Sequence, residues 1–586
     1  MRKTKIVCTI GPASEDRETL RQMILAGMNV ARLNFSHGSH EEHLVRVNRL
    51  KELREEMKVP LAIMLDTRGP EIRLGRFRDG RVTLRDGDEF ILTTEPCEGD
   101  EKRAFINHPD LPQHVKSGTA IMLDDGLIGL TVTEVKGTEI VCRVLSGGPL
   151  SNNKSVNVPG VDIDMPYLSE QDQSDIRFAV ENELDYIALS FVRTAQDVLD
   201  VKRLLARQGE TGIELIAKIE NRSGIDHIDE IIRLSAGIMV ARGDMGVEIP
   251  FEELPHLQKQ LITQCYSAGK RVITATQMLE SMVRNPRPTR AEITDVANAI
   301  YDGTSALMLS GETANGKYPV ETIRTMAKIA ERTEEFIDYK SLFNAAEPRL
   351  DKSVINALSH ATCTTAHDLS AAAIVTVTRT GSTARMVSRF RPATPIVAIT
   401  PISRTYRQLA LSWGVTPLMN DYKASSRELF ADAAAKVQEA GLAGDGDIIV
   451  VTGSSDRVGE ITNTLQIHVL GTALVRGTGN GLSAPITARL CVVMKTDDIK
   501  DFHDGDILVI DRTTSAVLHE MRRASAVVTE EDMTDSGAAS ACLALDLPLV
   551  AGAEKATQLL KTGCLATIDA KNGVVYNGDS GTSSGK

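Results

Sequence analysis

GIMVARGD, at residues 237–244, is a short apolar run that stops in Arg242, Gly243 and Asp244. Seven further runs of this kind alternate with longer segments of helical period, a pattern typical of βα units around a parallel sheet. Eight such strands close a TIM (β/α)8 barrel, so the sequence predicts an α/β protein with that fold. The predicted strands cover residues 5–10, 29–35, 61–66, 184–192, 214–220, 237–244, 271–278 and 305–312.

Three regions interrupt or follow the predicted barrel, which itself comprises residues 1–70 and 169–345. Residues 71–168 contain short alternating runs divided by Asp-Gly and Gly-Thr turns, typical of a small antiparallel β domain inserted after the third strand. Residues 346–473 alternate again, through AAAIVTVT and TPIVAITP, which predicts an open α/β domain. Residues 474–586 form a fourth unit that ends in the Gly/Ser tail NGDSGTSSGK.

The amino-acid composition limits the kinds of partner and the cellular location that we expect for the protein. The formal charge of −13 argues against nonspecific attraction to nucleic acid or to an anionic membrane. The eight cysteines form no CxxC pair and are typical of reduced thiols in the cytosol. The start MRKTKIVCTIG meets Gly11 and Pro12 before an apolar stretch long enough for a signal peptide, and no 18 apolar residues run together. We therefore expect a soluble, cytoplasmic protein.

The predicted strands end in polar and charged residues, and in a TIM barrel the carboxyl ends of the strands carry the active site. A structural ion pair would explain Lys218 and Glu220 alone, but polar groups at the ends of six strands argue for a site. These groups are Arg32, Asn34, Ser36, His37, Asp66, Thr67, Arg68, Lys218, Glu220, Arg242, Gly243, Asp244, Thr276, Ser310 and Glu312.

The chemistry of these groups points to a metal and an anion. Glu220 and Asp244 offer hard carboxylate oxygens, which suit Mg²⁺ or Mn²⁺ rather than zinc. Arg32, Arg73 and Lys218 suit an anionic substrate. Because the sequence has no GxxxxGK[ST] motif and no kinase-type Gly-rich loop, a nucleotide would need another arrangement.

A set of motifs between residues 4 and 319 resembles those of pyruvate kinases, and the likeness extends to about residue 473. The motifs are KIVCTIGPAS, NVARLNFSHGSHEEH, LDTRGPEIR, KIENRSGIDHIDEI, MVARGDMGVEIP, ATQMLESM and DGTSALMLSGETANGKYP. The resemblance implies transfer of the phosphoryl group of phosphoenolpyruvate to ADP, giving pyruvate and ATP in the last step of glycolysis. It also implies a homotetramer.

The resemblance further implies roles for individual residues. Glu220 and Asp244 would bind the divalent metal that grips the substrate, while Lys218 would face the migrating phosphoryl group and Glu71 would mark a potassium-dependent enzyme. The implied K⁺ ligands are Asn34, Ser36, Asp66 and the Thr67 carbonyl. The implied substrate contacts are Arg32, Lys218, Gly243, Asp244 and Thr276; the nucleotide contacts are Asn34, His37, Arg73 and Lys154.

Two further expectations concern catalysis. Thr276 and Ser310 would organise a water for protonation of the enolate, although the sequence does not identify the proton donor. The inserted β domain would close over the barrel mouth as a lid, which would exclude water from the phosphoryl group.

A polar loop in TVTRTGSTARMVSRFRP follows a strand and opens a helix in the predicted α/β domain. Hydroxyls and backbone amides at a helix start can hold a phosphate, although an ordinary strand-to-helix turn has the same residues. The loop is similar to the effector site of pyruvate kinases, where phosphorylated sugars bind, and TGSSDRVG at 452–459 would line the same pocket. The implied effector residues are Thr378, Arg379, Thr380, Gly381, Ser382 and Thr383.

The last unit resembles the swivelling phosphohistidine domain of phosphoenolpyruvate-utilising enzymes, through AVVTEED and AASACLALDLPLVAG. Where those enzymes place their phospho-accepting histidine, this sequence has Gly537. We therefore expect a stabilising or interface role rather than a phosphohistidine relay.

Two other classes of function stay open at this point. Metal-dependent aldolases and lyases that act on pyruvate enolates also use barrels with a Glu and an Asp on Mg²⁺, but they need neither Lys218 nor a lid. A non-catalytic phosphometabolite-binding protein would have no reason to surround two carboxylates with cations.

Overall fold

The structure, a computed structural model, divides the chain into two compact units: Met1–Asp338 with Arg407–Gly414, and Tyr339–Tyr406 with Val415–Lys586. The residues described are 2–161, 163, 165–209, 211–346, 353–421, 426–444, 447–454, 462–471, 473–482, 485–534 and 536–578.

The first unit contains a closed barrel of eight parallel strands, which confirms the predicted TIM barrel. Its first three strands, β1–β3, are Lys5–Thr9, Val30–Asn34 and Ala62–Asp66. Eight lid strands, β4–β11, follow at Arg81–Leu84, Glu89–Thr93, Arg103–Phe105, Ala120–Leu123, Ile128–Lys136, Glu139–Ser146, Gly148–Ser151 and Val156–Asn157. The barrel then resumes with β12–β16, at Tyr186–Leu189, Glu214–Ile219, Gly237–Ala241, Arg271–Ala275 and Ala306–Leu309.

The barrel strands are shorter than the sequence predicts. β14 ends at Ala241, and the helix Arg242–Glu248 begins at once. β15 ends at Ala275, after which Thr276 and Gln277 both have left-handed φ angles. The polar ends of the predicted strands therefore lie in the βα connections, where a TIM barrel carries its active site.

An outer layer of helices surrounds the barrel, and several begin at capping boxes that satisfy the free amides of the first turn. These boxes pair Ser39 with Glu42, Ser169 with Asp172 and Thr289 with Glu292. The α-helices are Arg17–Ala26, His40–Met57, Glu170–Glu181, Ala195–Arg207, Arg222–Asp226, Ile228–Leu234, Arg242–Glu248, Leu254–Ser267, Arg290–Tyr301, Gly311–Ala314 and Pro319–Glu334. The 3-10 helices of this unit are Phe251–Glu253, Glu280–Val283 and Leu409–Leu411.

The amino end of the barrel is covered by the segment Arg407–Gly414, which comes from far along the chain. Leu411 joins the buried apolar cluster that fills the barrel lumen. The Arg407 guanidinium donates to the carboxylate of Asp185 at 2.7 Å, directly before β12. This segment therefore belongs to the barrel unit, although it lies inside the predicted α/β domain.

The lid has its own apolar core and two sheets. β10 pairs with β4, and the other six strands follow the order β11-β7-β8-β9-β5-β6. A purely antiparallel lid was expected, but β5 and β6 are parallel, because the connection 94–102 returns to the start of β5 before β6 begins. The one helix among the described lid residues is Leu111–His114.

The second unit begins with an open α/β sheet of order β19-β18-β17-β20-β21, in which only the edge strand β21 is antiparallel. Strands β17–β21 are Ala373–Val377, Ile396–Thr400, Val415–Met419, Ile448–Gly453 and Thr464–Val469. The helices are Tyr339–Ala346, Val354–Asp368, Ser382–Arg389, Ser403–Gln408 and Ser426–Glu439.

A mixed sheet of eight strands forms the remainder of the second unit, in the order β22-β29-β28-β24-β25-β26-β27-β23. Strands β22–β29 are Ala473–Arg476, Thr478–Gly479, Ile486–Val493, Ile507–Ile510, Ala526–Thr529, Leu549–Ala551, Leu565–Asp569 and Val574–Asn577. Its helices are the 3-10 helix Thr496–Asp501 and the α-helices Ser515–Met521, Gly537–Leu545 and Ala556–Leu559. No helix in the described part of the chain has the length and apolar character needed to cross a membrane.

Candidate active site

Asp66, at the carboxyl end of β3, holds two cationic side chains inside the barrel mouth. Its Oδ2 accepts from the Arg32 guanidinium at 2.6 Å, and its Oδ1 lies 3.1 Å from the Lys218 ammonium. All three side chains are buried, so their charges stabilise one another in place of water. Burial alone would raise the pKa of Asp66, but Arg32 and Lys218 outweigh burial and hold that pKa below its ordinary value.

Lys218 also pairs with Glu220, whose Oε1 lies 3.0 Å from the Lys218 Nζ. Burial would lower the pKa of Lys218, but Asp66 and Glu220 raise it, so the ammonium stays charged. Burial raises the pKa of Glu220, and the nearby Asp244 carboxylate raises it further. The Lys218 ammonium lowers that pKa but does not offset these two effects, so the positive charge around Glu220 is incomplete.

This deficit fits a divalent cation. Apart from its ion pair with Lys218, the buried Glu220 Oε1 has no hydrogen-bond partner among the described residues. Within those same residues, His, Cys, Asp and Glu side chains nowhere form a metal-binding group of three or more. The prediction that Glu220 and Asp244 bind a divalent metal involves two carboxylates, whose hard oxygens suit Mg²⁺.

The residues predicted to bind K⁺ lie at or just after the carboxyl ends of two neighbouring strands. Asn34 of β2 pairs in register with Asp66 of β3, and Asn34 Oδ1 accepts from the Ser36 amide at 3.1 Å. The Thr67 amide donates to the Ala188 carbonyl at 3.0 Å, which fixes the peptide that follows β3. The donor set consists of oxygen atoms only, and these suit a hard cation.

Thr276 follows β15 in a strained conformation, with φ of 68°. Its hydroxyl donates to the Ala275 carbonyl at 2.6 Å and accepts from the Gly243 amide at 2.8 Å, while its carbonyl accepts from Arg242 at 2.6 Å. The ends of β14 and β15 are thereby locked together. The Ser310 hydroxyl, after β16, is buried and has no partner among the described residues.

A group of basic side chains surrounds the exposed His37. Burial, and then the charges of Arg73, Arg68, Arg32 and Lys154, lower the pKa of His37, so these cations share one region. Two of them are already paired, Arg73 with Glu71 at 2.6 Å and Lys154 with Asp124 at 2.7 Å. An anion bound here would compete with those carboxylates.

The predicted effector loop lies in the second unit, between β17 and the helix Ser382–Arg389. The Gly381 amide donates to the Thr378 hydroxyl at 2.9 Å, and the Thr383 hydroxyl lies 2.7 Å from that of Thr462. Arg379 and Thr380 lie within the same loop, and Ser382 is the first residue of the helix. Most of the predicted second segment, 455–459 of TGSSDRVG, lies outside the described residues.

Gly537 opens the helix Gly537–Leu545 in the last sheet domain. A Cβ atom at Gly537 would lie 3.0 Å from Cβ and Cγ2 of Thr513, whose hydroxyl donates to Glu531 at 2.5 Å. A side chain at this position would therefore press on a residue that is itself held in place.

Sequence reasoning missed Ser190 and Phe191, which follow β12. The Ser190 hydroxyl contacts Lys218, and the Phe191 amide donates to Glu220 at 2.6 Å. The only signal was that Ser190 stands at the end of a predicted strand.

The barrel and its charged mouth define a class of protein: a TIM-barrel enzyme that handles an anionic substrate with the help of metal ions. The chain matches the family "Pyruvate kinase, barrel domain" over residues 1–323 and "Pyruvate kinase, alpha/beta domain" over residues 356–468. It also matches "PEP-utilising enzyme, mobile domain" over residues 502–573.

Relatives named pyruvate kinase align with the whole chain. The protein from Bacillus licheniformis is 44% identical over 580 residues, and that from Staphylococcus haemolyticus is 43% identical over 583 residues; each alignment covers 99% of both chains. A crystal structure of a pyruvate kinase from Cryptosporidium parvum has a TM-score of 0.76 and 38% identity, and the match covers 80% of this chain and 96% of that one.

The chain therefore belongs to the pyruvate kinase family. Its activity is that of a phosphotransferase, which moves the phosphoryl group of phosphoenolpyruvate to ADP in glycolysis and depends on metal ions. The matches support this activity over a pyruvate-enolate lyase and over a non-catalytic binding protein.

Proposed function

We propose that phosphoryl transfer takes place at the barrel mouth, with the Lys218 ammonium as the charge that stabilises the migrating group. The supporting observation is that this buried ammonium stays charged between Asp66 and Glu220. Phosphoryl transfer gathers negative charge in its transition state, so a cation fixed in a dry site lowers the barrier. Arg32, held by Asp66, would orient the phosphate of the substrate.

Glu220 and Asp244 would hold Mg²⁺ or Mn²⁺, and Gly243 and Thr276 would position the substrate carboxylate beside it. Bound there, the divalent cation supplies a Lewis acid for the enolate oxygen that remains after transfer. Thr276 and Ser310 would hold a water for protonation of the methylene carbon. The unpartnered Ser310 hydroxyl supports that role, since a buried hydroxyl without a protein partner commonly binds water.

Asn34, Ser36, Asp66 and the Thr67 carbonyl would bind K⁺. Glu71 supports potassium dependence because its side chain, a carboxylate that pairs with Arg73, supplies no positive charge that could replace K⁺. The predicted dependence on K⁺ rests on that residue and on the oxygen-only donor set.

ADP would place its phosphates among the basic side chains around His37. Arg73 and Lys154 would exchange their carboxylate partners for phosphate oxygens, while Asn34 and His37 would donate hydrogen bonds. The lid would close over the nucleotide. Its contact with the barrel includes the Asn157 side-chain amide, which donates to Glu248 at 3.0 Å.

The test is an assay of pyruvate formed from phosphoenolpyruvate, in which ADP, the divalent cation and K⁺ are omitted one at a time. We expect each omission to remove most of the rate. Full activity in choline chloride would contradict the potassium site, and full activity after removal of divalent cations would contradict the roles of Glu220 and Asp244.

Residues 378–383 would bind a phosphorylated effector, supported by the hydroxyls and amides at the start of the helix Ser382–Arg389. Saturation curves with and without sugar phosphates test this, and no change in cooperativity or affinity with any of them would count against it. A homotetramer and a cytoplasmic location are also part of the proposal; the location is supported by the eight cysteines, which form no disulfide.

A further inference from the structure

Ser190 and Phe191 form a corner directly after β12, facing the charged centre of the barrel. Ser190 is only 2% exposed. Phe191 has a φ of 53°, a left-handed conformation that bulky residues rarely adopt. Such conformations persist where the surroundings constrain the backbone, and they concentrate at functional sites.

The Ser190 hydroxyl joins the catalytic lysine to the peptide of Thr67. Lys218 Nζ donates to Ser190 Oγ at 2.7 Å, and Ser190 Oγ donates to the Thr67 carbonyl at 2.6 Å. Asp66 Oδ1, at 3.1 Å, is a longer second acceptor. A hydroxyl has one proton, so the shorter contact with the carbonyl takes it and the oxygen remains free to accept from the ammonium.

The backbone of the same corner contacts the other proposed cation site. The Phe191 amide donates to Glu220 Oε2 at 2.6 Å. The left-handed turn at Phe191 therefore allows one corner to bond Glu220 through its backbone while the Ser190 side chain bonds Lys218.

We propose that Ser190 is a positioning residue that couples the monovalent cation to Lys218. A carbonyl has two lone pairs, and the bond from Ser190 uses one of them, which leaves the other to bind the proposed K⁺. The Lys218 ammonium and the Thr67 carbonyl bond to the same hydroxyl. Ser190 would therefore fix the position of the carbonyl that binds K⁺ relative to the position of the ammonium. This proposal rests on the proposed potassium site.

The space around Ser190 limits the choice of variants. A Cβ atom at Gly69 would lie 3.0 Å from Ser190 Cβ, so a threonine methyl group at position 190 has little room. Ser190→Ala removes the hydroxyl, and Ser190→Cys keeps the volume but offers a weaker hydrogen-bonding group. The matched control is Tyr167→Phe, because the Tyr167 hydroxyl donates to the Ser190 carbonyl at 2.9 Å and its loss leaves the Ser190 side chain intact.

The experiment measures the K⁺ midpoint in two ways on the full chain, with choline chloride holding the ionic strength constant. One is activation of pyruvate formation, and the other is the K⁺-dependent rise in melting temperature without substrates. We expect Ser190→Ala to raise both midpoints roughly tenfold, the loss typical of one hydrogen bond to a charged group. Ser190→Cys should show a smaller rise, and Tyr167→Phe should stay near the wild-type values.

Unchanged K⁺ midpoints in Ser190→Ala would overturn the proposal. An equal rise of the midpoints in Tyr167→Phe would also overturn it, because a general loss of packing around Ser190 would then explain the effect. If the alanine variant does not fold, the cysteine variant decides in the same way. An enzyme equally active in choline and in potassium would instead refute the potassium site itself.

Discussion

The single carboxylate of Asp66 compensates two buried cations, Arg32 and Lys218, and this makes it the residue on which the site depends most for its stability. Neither cation can be solvated where it lies. Replacing one member of such a group leaves an uncompensated buried charge. The resulting loss in free energy of unfolding exceeds the net stabilisation that the whole group provides.

We therefore expect Asp66→Asn to lower the free energy of unfolding by about 3 kcal/mol, the usual cost of breaking a buried ion pair. Denaturant titration at neutral pH measures this change. The matched control is Asp200→Asn, which removes a carboxylate paired with Arg203 on the exposed face of a helix and should change stability by less than about 0.5 kcal/mol. Equal losses in free energy of unfolding in the two variants would show that Asp66 stabilises the fold no more than an exposed carboxylate does.

A second prediction concerns Glu220. Glu220→Gln keeps the size of the side chain but removes the charge that would hold the divalent cation, so we expect Mn²⁺ to bind at least about tenfold more weakly. Titration followed by electron paramagnetic resonance measures the free metal. Unaltered Mn²⁺ affinity in the variant would mean that the cation binds elsewhere.

The sequence identified Asp66, Lys218 and Glu220 because charged residues at the ends of buried strands require an explanation. It did not identify Ser190 and Phe191, since a serine and a phenylalanine closing an apolar run have no unusual composition. What matters at these positions is the left-handed backbone of Phe191 and the approach of Lys218, and both depend on tertiary structure.

At the scale of elements, the helix Arg290–Tyr301 is anchored to the loop after β15 through its capping box. The Glu292 carboxylate accepts from the Thr289 amide and from the Ser281 amide, both at 2.7 Å. Burial would raise the pKa of Glu292, but the hydrogen bonds from Ser281 and Thr289 outweigh it and lower that pKa.

A carboxyl whose pKa is lower in the folded state stabilises the fold above its unfolded pKa of about 4.3, and this contribution is lost as the pH falls through the folded value. We expect Glu292→Gln to cost about 1 kcal/mol at pH 7, because hydrogen bonds to a charged acceptor are stronger than those to a neutral amide, and progressively less below about pH 4. Denaturant titrations of both proteins between pH 7 and pH 3.5 measure the difference. A difference that stays constant across that range would show that the charge of Glu292 contributes nothing.

The sequence predicted all eight barrel strands but placed several of their ends too late. The boundary between apolar and polar residues reports burial, whereas a strand ends where its ladder of hydrogen bonds ends. At β14 the ladder stops at Ala241 because Arg242 already begins a helix. The parallel pairing of β5 and β6 was missed for a related reason: alternation indicates strands but not their direction.

At the scale of the whole molecule, every proposed catalytic and metal-binding residue lies in the first compact unit. The sequence predicted that all these residues lie in the barrel part of the chain, since they precede the α/β domain. It did not predict that Arg407–Gly414 joins the barrel unit, because the short helical segment gives no sign of its distant partner Asp185.

The position of the site leads to a prediction for residues 474–586. A chain that ends at residue 473 should keep its turnover number within about twofold, because no proposed catalytic group is removed, while its melting temperature falls because residues 474–586 belong to the same compact unit as the α/β domain. Steady-state rates and thermal unfolding of the shortened and full chains measure the two effects. A shortened chain that folds but has lost turnover would give these residues a part in catalysis.

Whether the Lys218 ammonium stabilises the phosphoryl group during transfer is decided by the turnover number of Lys218→Met. Methionine keeps the length of the side chain but not its charge. We expect the rate of pyruvate formation to fall by at least about a thousandfold, in line with the loss of a preorganised charge at the reacting group. Metal-dependent binding of phosphoenolpyruvate should remain largely intact. Near-normal turnover in this variant would contradict the account.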